Sequence, residues 1–205
     1  MIASTARSLA MLAASAILAG AGAAAHAAVE PGQKAPDFTL RDLSGDSAGL
    51  AQFKGKTVVL EWNNPNCPFV RKHYGSGNMQ DLQQAGKDKT VWLTINSTNP
   101  GSGDFMSAEA LKKWLAEQKA APTHYLLDPD GSVGRLYGAK TTPHMYVINP
   151  QGRVAYAGAI DDKRSTNPDD IPGASNYVRT ALGALARGEP VANASTPPYG
   201  CSVKY

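Results

Sequence analysis

The sequence predicts an α/β fold in which helices flank both faces of a central mixed β-sheet. Three observations support this prediction. Residues 57–62 form a nearly continuous apolar run, which is typical of a central strand buried on both faces. Segments with strand and helix patterns then alternate, as in crossover connections between parallel strands. A hairpin across residues 144–157, followed by a last helix, adds an antiparallel part to the sheet.

The elements are predicted in the order β-α-β-α-β-α-β-β-α, after an extended N-terminal segment at residues 31–46. Pro68 is suited to a first helical position because it lacks the N–H that is unpaired there. Ser107 is a suitable cap for a later helix. The predicted strands are 57–62, 90–97, 125–127, 144–148 and 153–157, and the predicted helices span 68–82 with a break at 75–77, 107–119, a short stretch ending at 137, and 177–187.

The N-terminus has the pattern of a secretory signal. Arg7 precedes an apolar segment at residues 9–25, and Ala25-His26-Ala27 places small residues where a signal peptidase cleaves. A membrane anchor is the alternative, but the run is short and rich in Ala and Gly. We therefore expect residues 1–27 to be removed on export to the periplasm or the exterior, with no membrane contact afterwards. The expected mature chain is one domain, 28–188, and a tail, 189–205, without periodicity.

Composition excludes several classes of function. The formal net charge of +3 is small, and no basic patch alternates with aromatic residues, so nucleic-acid binding has no support. No phosphate-binding glycine loop is present, and we expect no organic cofactor or catalytic metal. Residues 128–131 resemble the start of a calcium loop. Ala139 stands where the bidentate glutamate is needed, so the segment is predicted to be a turn.

The chain has two cysteines, Cys67 and Cys201. Cys67 stands between a predicted strand and a predicted helix, where unpaired N–H groups and the helix dipole favour a thiolate. Arg71 and Lys72 add positive charge nearby. The alternative is an inert, half-buried cysteine. Val70 stands where a CxxC motif has its second sulfur.

Several motifs resemble those of the thioredoxin-fold redoxins. GQKAPDFTL (32–40) is similar to the start of peroxiredoxins, and Thr142-Pro143 to the cis-proline loop that faces the active cysteine. NPNCPFV (64–70), YGAKTTP (137–143), YAGAIDD (156–162) and GCSVK (200–204) occur in the same order in a peroxiredoxin-like subgroup of the alkyl hydroperoxide reductase/thiol-specific antioxidant type. The resemblance covers nearly all of residues 30–188 and implies a thioredoxin-like fold.

The resemblance implies an exported thiol oxidoreductase that reduces protein disulfides or a peroxide through Cys67 and is recharged by an external thiol. It makes Glu61 a candidate proton shuttle, the alternative being a partly exposed strand carboxylate. Thr142 and Pro143 are candidate substrate-binding residues. Asn64 and Arg71 are candidates for a peroxide cradle, together with Asn63 and backbone N–H groups, and His144 is a weaker catalytic candidate.

The sequence also departs from the family patterns. Asn64 replaces the first cysteine of the subgroup's CxxC, and Thr141 replaces a cysteine near the cis-proline. Leu60 and Asn64 stand at the Pro and Thr positions of the peroxiredoxin PxxxTxxC pattern. This last departure weakens the peroxidase assignment most.

Cys201 is the remaining sulfur that can resolve an oxidised Cys67. We expect a Cys67–Cys201 disulfide that forms on oxidation. Two alternatives stay open: a purely structural clip that pins the tail, and a Cys201 that faces away and leaves Cys67 to external thiols. Two further alternatives are a non-catalytic fold kept for protein contacts and a copper-binding module. The candidate copper ligands of the second alternative are Cys67, His73, His144 and Met145.

Overall fold

A seven-stranded mixed β-sheet forms the centre of the structure, and the predicted α/β architecture is confirmed. The computed structural model describes Met1 and residues 28–205. The predicted signal segment, apart from Met1, lies outside the described residues. No helix within residues 28–205 is long and apolar enough to cross a membrane.

The strands and helices follow the predicted order, with three additions: a short hairpin before them, a two-residue strand at Thr141–Thr142 and a short strand after them. The strands are β1 Thr39–Asp42, β2 Ser47–Gly49, β3 Thr57–Trp62, β4 Thr90–Asn96, β5 His124–Leu127, β6 Thr141–Thr142, β7 His144–Ile148, β8 Val154–Gly158 and β9 Cys201–Ser202. The α-helices are α1 Pro68–Gly75, α2 Asn78–Gln84, α3 Ala108–Glu117, α4 Ser132–Tyr137 and α5 Tyr177–Ala186, and 3-10 helices span Leu50–Phe53 and Pro168–Gly173.

Strand β3 occupies the position that its apolar sequence predicts. The main sheet has the order β2-β1-β5-β4-β3-β7-β8. β3 runs parallel to β4 and antiparallel to β7, so that Leu60 lies opposite both Leu93 and Tyr146. Residues 58–62 are all buried, since the sheet carries a hydrophobic cluster on each face.

The two faces of β3 take part in different clusters. Leu60 and Trp62 pack on one side with Tyr137 and Tyr146. Val59 packs on the other side, against the cluster that includes α1, α2 and α5. Glu61 follows the alternation of a strand and points to the same side as Val59. This places the one acidic residue of β3 beneath helix α1.

Local sequence signals explain how the helices begin and break. The Ser107 hydroxyl accepts the Ala110 N–H at 3.2 Å, which confirms the predicted cap of α3. Gly77, with φ of 81°, separates α1 from α2 at the predicted break. Asp128 belongs to the predicted turn, and its carboxylate accepts the Val133 and Gly134 N–H groups at the start of α4. The residues that resemble a calcium loop therefore cap a helix.

Two segments differ from their predicted character. The tail lacks periodicity, yet β9 pairs with β6 in a small antiparallel sheet. The charged residues between Asp161 and Asp170 predict a solvated loop, but the side chain of Asp161 is only 1% exposed. The physical reason is shared: Asp161 accepts a hydrogen bond from Tyr199 of the tail. Both residues are covered where the tail returns to the domain.

Candidate active site

Cys67 is the N-cap of α1, and Pro68 is the first residue of the helix. The Cys67 N–H donates to Asn64 O at 3.0 Å, and the Arg71 N–H donates to Cys67 O at 3.0 Å. These bonds fix the sulfur at the positive end of the helix dipole, where a thiolate is stabilised. Cys67 is 2% exposed and belongs to the hydrophobic cluster on the Val59 side of the sheet.

Cys67 and Cys201 form a disulfide across a sequence separation of 134 residues, and their Cα atoms are 5.9 Å apart. Neither cysteine is free in the part of the chain that the structure describes. The predicted pairing is therefore present, and the alternative in which Cys201 faces away is wrong for this state.

The cis-proline loop lies directly beside this disulfide. The Thr142–Pro143 peptide bond is cis, and Thr142 O is 3.0 Å from Cys67 Sγ. Thr142 pairs with Cys201, and Thr141 with Ser202, in antiparallel register. The predicted substrate-binding edge is thus next to Cys67, and it is occupied by the protein's own tail.

Gly200 allows the tail to approach this edge closely. Its φ is 144°, and a Cβ built on it would lie 2.1 Å from Thr142 O. Any other residue would push the tail away from Thr142 or distort the backbone. The β6–β9 pairing therefore requires glycine at the position before Cys201.

Glu61 is fully buried, so the alternative of a partly exposed carboxylate is wrong. Its oxygens accept hydrogen bonds at 2.8–3.0 Å from four side chains, those of Asn63, Tyr74, Trp92 and Thr94. Burial raises the pKa of Glu61 above its ordinary value, while these donors act in the opposite direction. Tyr74 lies on α1 and packs in the same cluster as Cys67, which puts Glu61 in the layer beneath the disulfide.

The side chains proposed as a peroxide cradle form hydrogen bonds with other residues of the protein instead. Asn63 donates to Glu61 and accepts from Tyr125. Asn64 accepts the Asn66 N–H at 2.8 Å and donates weakly to Asp104 at 3.4 Å. Arg71 donates to Pro65 O at 3.1 Å and Asn66 Oδ1 at 3.2 Å. These contacts shape the loop before Cys67.

The remaining candidates are not gathered at the sulfur. Lys72 is buried and donates to Lys163 O at 3.0 Å. His144 lies on the Trp62 side of the sheet, opposite to Cys67, and its Nδ1 accepts the Lys140 N–H. Met145 lies on the Cys67 side. The four copper-ligand candidates are therefore divided between two faces, and residues 28–205 contain no cluster of three or more metal-ligating His, Cys, Asp or Glu side chains.

Sequence reasoning missed a polar cluster that receives the tail. Asp161 and Tyr199 are hydrogen-bonded, and His73 lies beside them. The Thr196 hydroxyl bonds with Tyr156 at 2.6 Å. Asp161 belongs to the motif YAGAIDD, and Tyr199 directly precedes the motif GCSVK. The co-occurrence of those two motifs was the available signal, but nothing in the sequence shows that they meet.

The fold and the cysteine site together define a thioredoxin- or peroxiredoxin-like thiol oxidoreductase family. The chain belongs to the AhpC/TSA family, which matches residues 31–157. It is similar to a thioredoxin-like protein, YneN, of Bacillus subtilis, with 29% identity over 148 residues, covering 70% of this chain and 81% of the relative. It is also similar to a putative peroxiredoxin, Rv2521, of Mycobacterium tuberculosis, with 25% identity over 136 residues, covering 64% and 78%.

A solved structure supports the fold assignment. A conserved protein of Geobacillus kaustophilus, described as uncharacterized, superposes with a TM-score of 0.73 at 28% identity, covering 85% of this chain and 92% of that one. The thioredoxin-like fold inferred from the motifs is thereby confirmed. The family assignment inferred from the same motifs is confirmed as well.

Proposed function

We propose that this protein is an exported thiol–disulfide oxidoreductase in which Cys67 is the nucleophile and Cys201 is the resolving cysteine. The observation that carries the proposal is the position of the Cys67–Cys201 disulfide. It joins a helix N-terminus to a strand that pairs with Thr142. A sulfur at the helix start is suited to attack, and the second sulfur is placed where it can attack the first.

The reaction exchanges two electrons. In the reduced protein the Cys67 thiolate attacks one sulfur of a protein disulfide, forms a mixed disulfide and releases the first substrate thiolate. Cys201, as thiolate, attacks Cys67 Sγ, which forms the internal disulfide and releases the second substrate thiolate. Each released thiolate takes a proton. An external thiol then reduces the Cys67–Cys201 bond by the same chemistry in reverse.

A protein disulfide is favoured as substrate over a peroxide. The side chains of Asn63, Asn64 and Arg71 already have protein partners, so none is held ready for a peroxide oxygen. The β6 edge, by contrast, is built to pair with an extended chain, and Cys201 is held there as a substrate cysteine would be. Thr142 and Pro143 are therefore assigned to substrate binding. Asn64 and Arg71 are assigned to shaping the loop.

A peroxidase is the second candidate, favoured by the family match and by the burial of Cys67 beneath the tail. A small oxidant needs less room than a protein does. In that reaction the Cys67 thiolate takes one oxygen from the peroxide to give a sulfenic acid and an alcohol or water. Cys201 then condenses with the sulfenic acid to form the disulfide and release water.

Glu61 is proposed as a proton carrier for this site. Its burial and raised pKa allow it to keep a proton at a pH where exposed carboxyl groups have lost theirs. Its bond with Tyr74 connects it to α1, which begins at the Cys67 cap. Glu61 is thus suited to exchange protons when thiolates form and disappear on the Cys67 side of the sheet.

Export and division of the chain are also part of the proposal. Residues 1–27 are assigned to a cleaved signal, residues 28–188 to the redox domain and residues 189–205 to the tail that carries Cys201. An oxidising compartment is where a protein disulfide persists and where such an exchange is needed. The competing assignment is a structural clip, which needs the same geometry but no reactivity.

The test compares two oxidants on the fully reduced protein. The reduced protein is mixed with one equivalent of insulin disulfide or of hydrogen peroxide. The reaction is quenched in acid, free thiols are alkylated, and the mass of the intact protein is measured. We expect insulin to remove both thiols with the loss of two hydrogens, faster than free cysteine reacts and faster than peroxide does. Faster reaction with peroxide would establish the second candidate. Reaction no faster than that of free cysteine with either oxidant would leave the structural clip, and Cys67→Ser provides the unreactive control.

A further inference from the structure

The tail approaches the domain through contacts that do not involve its cysteine. We call residues 194–205 the strap. Before Cys201, the Ala157 N–H donates to Ala194 O at 2.9 Å, and the Thr196 N–H donates to Ala157 O at 3.1 Å. After Cys201, the Val203 N–H donates to Lys140 O at 3.2 Å. Backbone hydrogen bonds therefore hold the strap to the domain on both the N-terminal and the C-terminal side of Cys201.

The most buried of these contacts lies two residues before Cys201. The Tyr199 hydroxyl donates to Asp161 Oδ1, which also accepts the Lys163 N–H at 2.9 Å. The Tyr199 ring packs edge-on against Phe69 of α1, with centroids 5.7 Å apart. Tyr199 is thus attached to the helix that begins at Cys67 as well as to Asp161.

His73 lies beside the Tyr199–Asp161 hydrogen bond and is buried. Its Nδ1 accepts a hydrogen bond from the Asn78 amide at 2.9 Å, so its ring N–H is on Nε2. Nε2 lies 3.4 Å from the Tyr199 hydroxyl and 4.0 Å from Asp161 Oδ2. No group within the described residues hydrogen-bonds to Asp161 Oδ2. A buried carboxylate oxygen without a hydrogen bond is costly, which makes a purely incidental position for Asp161 a poor explanation.

We propose that Tyr199 and Asp161 are positioning residues that keep the strap docked after the disulfide is reduced and so hold Cys201 beside Cys67. Because the anchor is noncovalent and close to Cys201 in sequence, it raises the local concentration of the second thiol at the first. Attack of Cys201 on the mixed disulfide at Cys67 is then faster than the reverse reaction, in which the substrate thiolate releases Cys67. The inference uses the cysteine pair of the proposed function but not its substrate.

The test measures the equilibrium between the disulfide and the dithiol. The protein is equilibrated with mixtures of reduced and oxidised dithiothreitol, in which the Cys67–Cys201 bond and dithiothreitol exchange two electrons and two protons. Acid quench, alkylation and intact mass give the oxidised fraction. A hydrogen bond to a charged group contributes enough that Tyr199→Phe and Asp161→Asn should each lower the equilibrium constant for disulfide formation about tenfold. The double variant should lose little more than the larger single effect, since one bond is removed.

Tyr177→Phe is the matched control. Tyr177 lies at the start of α5 in the same cluster, with its ring 6.3 Å from that of Tyr156, and is not on the strap. It should stay within about twofold of the wild type. A merely structural effect of Tyr199 or Asp161 would lower the stability of the oxidised and reduced forms equally and leave this equilibrium unchanged. Unchanged equilibria in both variants would overturn the proposal.

A second measurement needs no substitution. Hydrogen exchange of the reduced wild type should show protected amides at Thr196 and Val203, whereas exchange at the rate of a free chain would also overturn the proposal. Failure of the proposed function is distinguishable: the anchor effects would be present, but insulin would not be reduced.

Discussion

Cys201 lies opposite Thr142 in an antiparallel strand pair, and its sulfur is bonded to Cys67, whose Sγ is 3.0 Å from Thr142 O. One residue of the cis-proline loop therefore contacts both halves of the disulfide. The tail takes up the edge that an extended substrate would need. Reduction of the disulfide is a condition for exchange; an incoming substrate then displaces the β6–β9 pair, while the Tyr199–Asp161 contact of the strap stays in place.

Gly200→Ala should weaken the strap more than any other single alanine in it. The new Cβ would meet Thr142 O at 2.1 Å, and φ of 144° is unfavourable for alanine. We expect a loss of roughly 2–3 kcal/mol in the free energy of unfolding and slower disulfide formation. Urea unfolding and a time course of thiol loss after dilution from reductant measure these effects.

Gly188→Ala is the control that distinguishes the steric clash at Gly200 from the cost of a positive φ alone. Gly188 also has a positive φ, 72°, but a Cβ there meets nothing within 4 Å. It should cost only about 1 kcal/mol and leave the rate of disulfide formation unchanged. Equal effects of the two substitutions would show that close approach to Thr142 is unimportant.

Loss of the disulfide itself should be costly for stability. In the chain-entropy model, closing a loop across 134 residues stabilises the folded state by about 5 kcal/mol. Cys201→Ser should therefore lower the free energy of unfolding by up to that amount, and the wild type in excess reductant should behave alike. Urea unfolding with and without reductant measures it. A Cys201→Ser variant as stable as the oxidised wild type would contradict the disulfide seen in the structure.

Glu61→Gln should act on both rate and stability. The amide keeps the shape of the side chain but cannot carry the proton, so we expect thiol–disulfide exchange to slow by roughly 100-fold. Thr94→Val is the matched control, since it removes one donor and keeps the carboxyl group. Stopped-flow kinetics with insulin disulfide measures the rates, and equal slowing in both variants would reduce Glu61 to a structural role.

The pH dependence of stability has a defined sign at Glu61. Its pKa is raised above the ordinary value of 4.5, so the folded state holds the proton more tightly than the unfolded state does. The resulting stabilisation is complete below pH 4.5 and is lost as the pH rises through the folded-state pKa. The stability of the wild type relative to Glu61→Gln should therefore fall as the pH is raised from 4. A constant difference in urea unfolding would contradict the raised pKa.

His73 should have the opposite effect. Burial, together with the nearby Lys72 charge, lowers the pKa of His73 from 6.5 to about 3. Its contribution to stability is complete above pH 6.5 and is lost as the pH falls towards 3, with a slope of up to about 1.4 kcal/mol per pH unit. His73→Asn should lose less stability than the wild type between pH 7 and pH 5. An identical loss in both would show that His73 is not held neutral.

Local signals predicted most of the fold and half of the site. The apolar run 57–62, the Pro68 start and the Ser107 cap each act through neighbouring residues, and each was confirmed. The motif around Cys67 and the Thr142-Pro143 pair placed the sulfur and its neighbour correctly. The burial of Asp161 could not be predicted, because it depends on Tyr199, which is 38 residues away in sequence. The hydrogen-bond partners of Asn63 and Arg71 could not be predicted either, because they depend on where the side chains lie in the folded protein.

Trapping the mixed disulfide in Cys201→Ser tests the central claim most directly. Without the resolving sulfur, Cys67 should attack one disulfide of insulin and remain bonded to the insulin molecule through one sulfur, which intact mass and tryptic mapping detect as a single adduct on Cys67. Cys67→Ser should give no adduct at Cys201. Accumulation of the Cys67 adduct faster than with free cysteine is the predicted result. If Cys67 stays unmodified while the variant remains folded, the disulfide is a structural clip and the proposed exchange is wrong.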